Sequence, residues 1–261
     1  MEIKLNGKNA LVGGSSKGIG RAIAERLANS GANVTIMARN ESLLQELTKQ
    51  LDQSKGQHHQ YLVVDFSNFN AFAKKIEAYF KNNTVDILIN NTQGPTAGGA
   101  LEKNLSDYQT AFDLLFKCAV HTTLLALPHM QQQKWGRIVN VASVSVREPL
   151  NYLALSNTLR AALVTWAKSL SVDIAPDNIT INNTLTGYFD TERIAQLNAQ
   201  KAEKMGIPTS EVRAAMEAAV PLKRIGRPEE YANAVCFLAS EQASYITGTN
   251  IPVDGGLLKS F

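Results

Sequence analysis

The sequence predicts a single α/β domain built on a doubly wound parallel sheet, with helices on both faces to give three layers. Three observations support this fold class. The 261 residues suit one α/β domain, and they contain no Pro/Ser-rich linker and no internal repeat. Short apolar runs alternate many times with longer helical patterns, as strands and crossover helices do. The short runs are apolar on both faces, as buried parallel strands are. We therefore expect residues 1–261 to form one domain.

Each predicted strand is short and apolar, and a stretch with helical periodicity follows most of them. In the first half the strands are 10–12, 34–38, 61–64 and 85–89, and the helices are 19–30, 41–51 and 69–80. In the second half the strands are 137–141, 180–183 and 250–253, and the helices are 105–130, 153–174 and 229–238. The helices 105–130 and 153–174 are unusually long and apolar.

One segment, 192–220, interrupts the alternation. It is polar, Ala-rich and helical in pattern, and it lies between a strand and Pro221. Two interpretations remain open from the sequence: a helical flap that covers a site, or a plain surface insertion. Below, "the flap" means residues 192–220.

Composition excludes several classes of function. The chain has 26 Lys+Arg against 23 Asp+Glu, a formal net charge of +3, and no run of five Lys/Arg, so we expect no nucleic-acid partner. No stretch of about 18 uninterrupted apolar residues predicts a membrane span. Cys118 and Cys236 are too few for a disulfide framework and lack metal-ligand spacing, so no metal site is expected. The first residues lead straight into a folded pattern without a signal peptide, which predicts a cytoplasmic location.

A glycine-rich loop lies at the first strand–helix junction. Its residues are Gly14, Ser15, Ser16, Lys17, Gly18, Ile19 and Gly20, here called the glycine loop. Glycines allow tight turns and close approach of a phosphate, and the following helix N-terminus offers unpaired N–H groups and a positive dipole end. The alternative is a turn that merely connects strand to helix. Its position in a long α/β chain favours a dinucleotide pyrophosphate site.

The end of the second strand indicates which dinucleotide binds. An NAD site usually places an acid there to hold the ribose 2′-OH, whereas this strand ends with Ala38, Arg39 and Asn40. Arg39 is suited to a 2′-phosphate and to stacking on adenine. Lys17 would add a second cation. Each alone would be an ordinary surface charge, but together they favour NADP as the cofactor.

With these features the chain resembles the short-chain dehydrogenase/reductases, which have a Rossmann fold, and among them the 3-oxoacyl-[acyl-carrier-protein] reductase-like members. The resemblance runs from about residue 5 to residue 256. The order and spacing of the matching segments are more specific than any one motif. The segments that carry it are 14–20, Asp65-Phe66, Asn90-Asn91, 136–139, 226–230 and 253–256.

The resemblance implies further cofactor contacts. Asp65-Phe66 would lie beside the adenine, and Asn91-Thr92 would line the adenosine ribose. Thr191 would hold the nicotinamide carboxamide, with the Phe189 backbone beside it. Taken alone, Asp65 would be a strand-end cap and Thr191 a helix N-cap.

The catalytic positions depart from the family pattern, which uses Asn, Ser, Tyr and Lys. Ser143 matches the family serine, which hydrogen-bonds the carbonyl oxygen. The Tyr and Lys positions are occupied by Ser156 and Arg160, and the Asn position by Leu115. An aliphatic hydroxyl is a far weaker acid than a phenol, and Ser156 is shorter. Arg160 can hydrogen-bond a ribose but does not relay protons.

Other residues near the motif are alternative sources of the proton. Tyr152 lies four residues before Ser156, one helical turn earlier if the helix reaches it. Tyr188, Glu148 and a water molecule are further alternatives, although packing or surface roles suit each of these side chains. Smaller departures from the family pattern are Gly13 in place of Thr, Gln93 in place of Gly and Thr186 in place of Pro.

Two hypotheses about function follow. The first is an NADP-dependent oxidoreductase acting on a carbonyl or alcohol in a small or acyl-carrier-linked substrate, with Ser143, Ser156, Arg160 and Tyr152 at the reacting centre. The second is an NADP-binding sensor or assembly partner with little or no reductase activity. The resemblance also implies a homotetramer or homodimer packed through the two long helices. The substrate and the direction of reaction are not predicted.

Overall fold

The computed structural model of the protein describes residues 2–260, and in them seven strands form one sheet. The strands are β1 (Asn9–Val12), β2 (Asn33–Ala38), β3 (Gln60–Val63), β4 (Ile87–Asn90), β5 (Gly136–Val141), β6 (Ile179–Thr186) and β7 (Asn250–Val253). All neighbouring pairs are parallel, and the order across the sheet is β3-β2-β1-β4-β5-β6-β7. The predicted doubly wound parallel sheet is therefore confirmed.

The helices cover both faces of this sheet. They are α1 (Gly18–Asn29), α2 (Glu41–Gln50), α3 (Phe69–Phe80), α4 (Leu105–Phe112), α5 (Cys118–Gln133), α6 (Ala154–Ile174), α7 (Glu192–Met205), α8 (Thr209–Ala219) and α9 (Pro228–Leu238). Side chains of α1, α2 and α9 share one buried core, and those of α3, α4, α5 and α6 share the other. Neighbouring strand residues alternate between the two cores: Val12 lies in the first and Leu11 in the second.

Short polar side chains fix where several helices begin. Asn40 accepts a hydrogen bond from Leu43 N at the start of α2, and Asn68 accepts one from Ala71 N at the start of α3. The Asn104 side chain caps α4 by accepting from Asp107 N, and the Asp107 carboxylate in turn accepts from Asn104 N. These contacts satisfy N–H groups that have no partner inside the helix.

The long helix predicted over 105–130 is interrupted in the structure. A π-helical segment, Asp113–Lys117, separates α4 from α5. Neither glycine nor proline marks this segment, so the apolar periodicity alone predicted an unbroken helix. Taken together, Leu105–Gln133 is the one described helical run long and apolar enough to cross a membrane, but half of its most apolar 18-residue stretch is buried. This burial is typical of a core helix.

The flap is helical, as its pattern predicts, and consists of α7 and α8. Gly206 ends α7 at φ +65°, a conformation that glycine adopts without strain. Arg213 of α8 donates two hydrogen bonds of 3.1 Å to the Asp190 carboxylate, in the loop after β6. This pair joins α8 to the loop that precedes α7.

A row of four asparagines crosses the carboxyl half of the sheet. Asn90, Asn140, Asn183 and Asn250 occupy facing positions on β4, β5, β6 and β7. Their side chains are joined by hydrogen bonds of 2.9, 2.9 and 2.8 Å. The strand β6, Ile179–Thr186, is longer at both ends than the predicted 180–183. In the structure the row joins four neighbouring strands by side-chain hydrogen bonds.

Candidate active site

The glycine loop packs directly on the end of β4. Gly14 and Gly18 both have φ +54°, a conformation that favours glycine. A Cβ on Gly13 would overlap the Asn91 carbonyl oxygen, and one on Gly20 would overlap the Gly14 carbonyl oxygen. The Asn91 side chain donates to the carbonyl oxygens of Gly13 and Gly14 at 3.0 and 3.3 Å. Asn91 therefore fixes the glycine loop against the end of β4.

Ser15 ties the same loop to the sheet. Its buried hydroxyl donates to Val12 O at 2.9 Å and accepts from Met37 N at 2.8 Å. Its backbone N–H donates to Met37 O at 3.1 Å. The loop therefore extends the pairing of β1 with β2. Ser16 and Ile19 are half-buried in this frame.

A cleft of about 380 Å³ opens where the glycine loop begins α1. Gly18, Arg21, Thr191 and Glu192 are among the residues that line it. No described side chain caps the N-terminus of α1, so no side-chain oxygen accepts from its first N–H groups. A glycine cradle beside an uncapped helix N-terminus fits the pyrophosphate of a dinucleotide.

Lys17 has a partner that the sequence did not indicate. Its ammonium group binds the Glu192 carboxylate of α7 at 2.8 and 3.0 Å, and both side chains are exposed. This pair joins the glycine loop to the flap. The role of Lys17 as a second cation for the 2′-phosphate stays a prediction.

The residues expected at the adenine end lie at the ends of β2 and β3. Arg39 is exposed and forms no ion pair with a described residue, while Asn40 is engaged as the cap of α2. Asp65 accepts hydrogen bonds from the N–H and hydroxyl of Ser67, and these bonds lower the pKa of Asp65, with a smaller contribution from the charge of Arg39. Phe66 is buried. Arg39 thus remains available to a phosphate.

The loop after β6 meets the glycine loop. Thr191 caps α7 by accepting from Ile194 N at 3.4 Å, as its alternative interpretation as an N-cap suggests. Its Cγ2 would lie 3.1 Å from a Cβ on Gly18, so the two segments are in contact. The Phe189 ring is buried edge-on against Tyr231, with ring centroids 5.1 Å apart. Thr92 lies half-buried at the end of β4.

Ser156 and Arg160 are bonded to each other one turn apart on α6. The Arg160 Nε donates to Ser156 Oγ at 3.2 Å, and its Nη1 donates to Val141 O, the last carbonyl of β5. Burial lowers the pKa of Arg160 to about 10; the nearby phenol of Tyr231 opposes this shift and the charge of Arg193 adds to it. Arg160 is therefore cationic at neutral pH.

Ser143 lies two residues beyond Val141, so the structure brings its segment to the same strand end as Arg160. Its side chain is half-buried and its Oγ accepts a hydrogen bond from Ser145 N at 3.1 Å. The hydroxyl hydrogen of Ser143 remains available for donation. Leu115, at the family's Asn position, is buried in the π-helical segment.

The structure gives Tyr152 and Glu148, two alternative proton donors, different environments. Tyr152 precedes α6, which begins at Ala154, so the helix does not reach it and it shares no helix face with Ser156. Partial burial and the nearby Tyr188 raise the pKa of Tyr152 to about 12. Glu148 accepts backbone hydrogen bonds from Lys259 and Ser260, and these lower its pKa. Glu148 therefore anchors the C-terminal segment.

Tyr231 is a site residue that sequence reasoning missed. It is fully buried, with its hydroxyl 2.6 Å from Thr184 Oγ1, and Thr186 Oγ1 donates to it at 2.8 Å. Burial raises the pKa of Tyr231 to about 12. The departure at Thr186 was the one signal of this contact, since a proline there would offer no hydroxyl. Arg193, described below, was also missed.

The sheet order, the glycine cradle and the open end of α1 together define a dinucleotide-binding α/β protein. Residues 14–258 match the family model described as enoyl-(acyl carrier protein) reductase. The chain belongs to the short-chain dehydrogenase/reductase family, so the resemblance found in its motifs is confirmed.

Similar proteins match nearly the whole chain. The 3-oxoacyl-[acyl-carrier-protein] reductase FabG of Aquifex aeolicus is 34% identical, covering 98% of this chain and 100% of its own length. The NADPH-dependent reductase BacG of Bacillus subtilis is 32% identical, covering 97% and 98%. The crystal structure of L-sorbose reductase from Gluconobacter frateurii, complexed with NADPH and L-sorbose, superposes with a TM-score of 0.92 at 30% identity and covers 100% of both chains.

Proposed function

We propose that the protein is an NADPH-dependent oxidoreductase that interconverts a carbonyl group and an alcohol. The observation that carries this proposal is the glycine cradle, fixed between Asn91 and Thr191 at an uncapped helix N-terminus. Relatives of the same length are an NADPH-dependent reductase and a sugar reductase complexed with NADPH. Arg39, in place of an acid at the end of β2, supports NADPH over NADH.

Different residues would bind different parts of the cofactor. The glycine loop and the first turn of α1 would hold the pyrophosphate. Arg39 and Lys17 would hold the 2′-phosphate, and Asp65-Phe66 with Asn91-Thr92 would surround the adenosine. Arg160, Thr191 and the Phe189 backbone would hold the nicotinamide ribose and carboxamide. When bound, the reduced nicotinamide supplies a hydride.

At the reacting centre, Ser143 would donate a hydrogen bond to the carbonyl oxygen and polarise the carbonyl. The carbonyl carbon gains the hydride and the oxygen gains a proton, which yields the alcohol. Arg160 orients the Ser156 hydroxyl and holds its position, but a guanidinium with a pKa of about 10 does not deliver the proton at neutral pH. The proton would come from water held by Ser156 or from Tyr152.

The replacement of the family's Tyr–Lys pair supports a second function, an NADP-binding protein with little turnover. Losing a positioned general acid typically costs about 10²–10⁴-fold in rate. We therefore expect slow reduction rather than none, because hydride donation and carbonyl polarisation are both retained.

The test is oxidation of NADPH with a panel of carbonyl compounds, measured for the parent protein and three serine variants. Ser143→Ala should abolish turnover, whereas Ser156→Ala should retain part of it. Ser169→Ala, on the exposed face of α6, is the matched control and should equal the parent. Tight NADPH binding without turnover for any panel member would favour the second function.

Apolar side chains on the long helices support a homotetramer or homodimer. Phe112, Leu124 and Val172 are 37%, 54% and 70% exposed, on α4, α5 and α6. Such side chains are suited to burial against a second copy. We propose a cytoplasmic homo-oligomer, and light scattering during gel filtration should report a mass of two or four chains. A monomer at micromolar concentration would contradict it.

A further inference from the structure

Arg193 is held at the boundary between the flap and the loop after β4. It is the second residue of α7, and its side chain is half-buried. Its guanidinium covers Gly94, where a Cβ would lie 3.4 Å from Nη2 and 3.5 Å from Nε. Nη2 donates to Pro95 O at 2.8 Å. Among residues 2–260 this is the one hydrogen bond of the guanidinium, which has five N–H donors.

The position is an unfavourable one for a cation. The first turn of a helix carries the positive end of the helix dipole, where a positive side chain is disfavoured. Burial also lowers the pKa of Arg193, which reflects the cost of removing its charge from water. Both effects disfavour a positive charge at this position.

The nearby carboxylates do not compensate this charge. Glu192 binds Lys17, and Asp190 binds Arg213 through two hydrogen bonds. Within residues 2–260, no carboxylate lies within ion-pair distance of Arg193.

Arg160 adds a second positive charge to the same region. It also lacks a carboxylate partner among the described residues, since its donors contact Ser156 Oγ and Val141 O. The charge of Arg193 lowers the pKa of Arg160, so the two guanidinium groups are within electrostatic range of each other. Two partly dehydrated like charges repel, and an anion placed between or beside them relieves that repulsion.

We propose that Arg193 binds an anionic group, a carboxylate or a phosphate, carried by the carbonyl substrate. This inference rests on the proposed function and narrows its substrate class to oxo acids and phosphorylated ketones. The free N–H donors of Arg193 suit the paired oxygens of either group. Tyr152 is tied to the same loop after β4 as Pro95, since its carbonyl oxygen accepts from Gly98 N at 2.7 Å. Tyr152 and the nearby Tyr188 would contact the uncharged part of the substrate.

The test compares charged probes with neutral counterparts of similar shape. The pairs are 4-oxopentanoate with its methyl ester, and dihydroxyacetone phosphate with dihydroxyacetone. Calorimetry measures their binding to the protein loaded with NADP⁺, and NADPH oxidation measures their reduction. The variants are Arg193→Gln and, as the matched control, Lys204→Gln, which removes a charge from an exposed position of the same helix.

In the parent, the charged member of at least one pair should bind at least about tenfold more tightly, as a charge-assisted hydrogen-bond pair permits. Arg193→Gln should remove that preference, leaving affinity for the neutral probes and for NADPH within about threefold. Lys204→Gln should behave as the parent does.

Two results would overturn the proposal. One is the absence of a preference for either charged probe in the parent. The other is a loss of NADPH affinity in Arg193→Gln as large as the loss of probe affinity, which would assign Arg193 to the cofactor's pyrophosphate. Charged probes that bind through Arg193 but are never reduced would leave the anion site standing and refute the reductase function.

Discussion

Replacing Asn140 with leucine cuts the asparagine row at its centre. Asn140 is completely buried; it accepts from Asn90 and donates to Asn183, both at 2.9 Å. In Asn140→Leu, which conserves volume approximately, the Asn183 Oδ1 loses its one described donor. One N–H of Asn90 is also stranded, since the other is taken by Thr123.

The expected cost follows from these two stranded groups. Each buried polar group left without a partner costs about 1–3 kcal/mol, so the variant should lose about 2–6 kcal/mol of unfolding free energy. At roughly 2–4 °C per kcal/mol for a chain of this size, the melting temperature should fall by about 4–24 °C.

The assay is thermal unfolding followed by circular dichroism, at equal protein concentrations because assembly shifts the apparent stability. Asn70→Leu, at an exposed position of α3, is the matched control and should change stability by no more than about 0.5 kcal/mol. If Asn140→Leu has the same melting temperature as Asn70→Leu, the row does not stabilise the sheet and the reasoning fails.

Three further predictions concern the cofactor site and an ion pair. Arg39→Asp should weaken NADPH binding by about tenfold or more and NADH binding far less, in fluorescence titrations; equal losses would reject the 2′-phosphate contact. Gly13→Ala should impair NADPH binding and lower the melting temperature, because its Cβ overlaps the Asn91 carbonyl oxygen, and an unchanged variant would contradict the close packing of the loop. Two hydrogen bonds from Arg224 and one from the Arg227 backbone N–H lower the pKa of Glu230 to about 2, so these contacts stabilise above about pH 4.5 and their contribution is lost as pH falls towards 2. Glu230→Gln should therefore melt below the parent at neutral pH and converge with it near pH 2, and a constant gap would refute this.

Local patterns were sufficient to predict most of the sheet. The runs ending at Val12, Ala38 and Val141 are buried on both faces, so their apolar character identifies them as strands of a parallel sheet. The glycine loop was recognisable because its conformation demands glycine at positions that backbone contacts would otherwise forbid. Both features are properties of short stretches of sequence.

The features that could not be predicted depend on contacts between distant segments. Lys17 meets Glu192 across 175 residues, and Tyr231 meets Thr184 across 47, so neither pair leaves a local pattern. The π-helical segment before Cys118 has no glycine or proline to mark it. Periodicity locates helix ends only to within a few residues, so the sequence left open whether the helix that begins near residue 153 reaches Tyr152.

The central claim is that the glycine loop receives a pyridine nucleotide and that Arg39 selects its phosphorylated form. Calorimetric titration of the folded protein with NADPH and with NADH tests both parts at once. The account predicts one site per chain, with NADPH bound at least about tenfold more tightly than NADH. Uptake of neither nucleotide would contradict it.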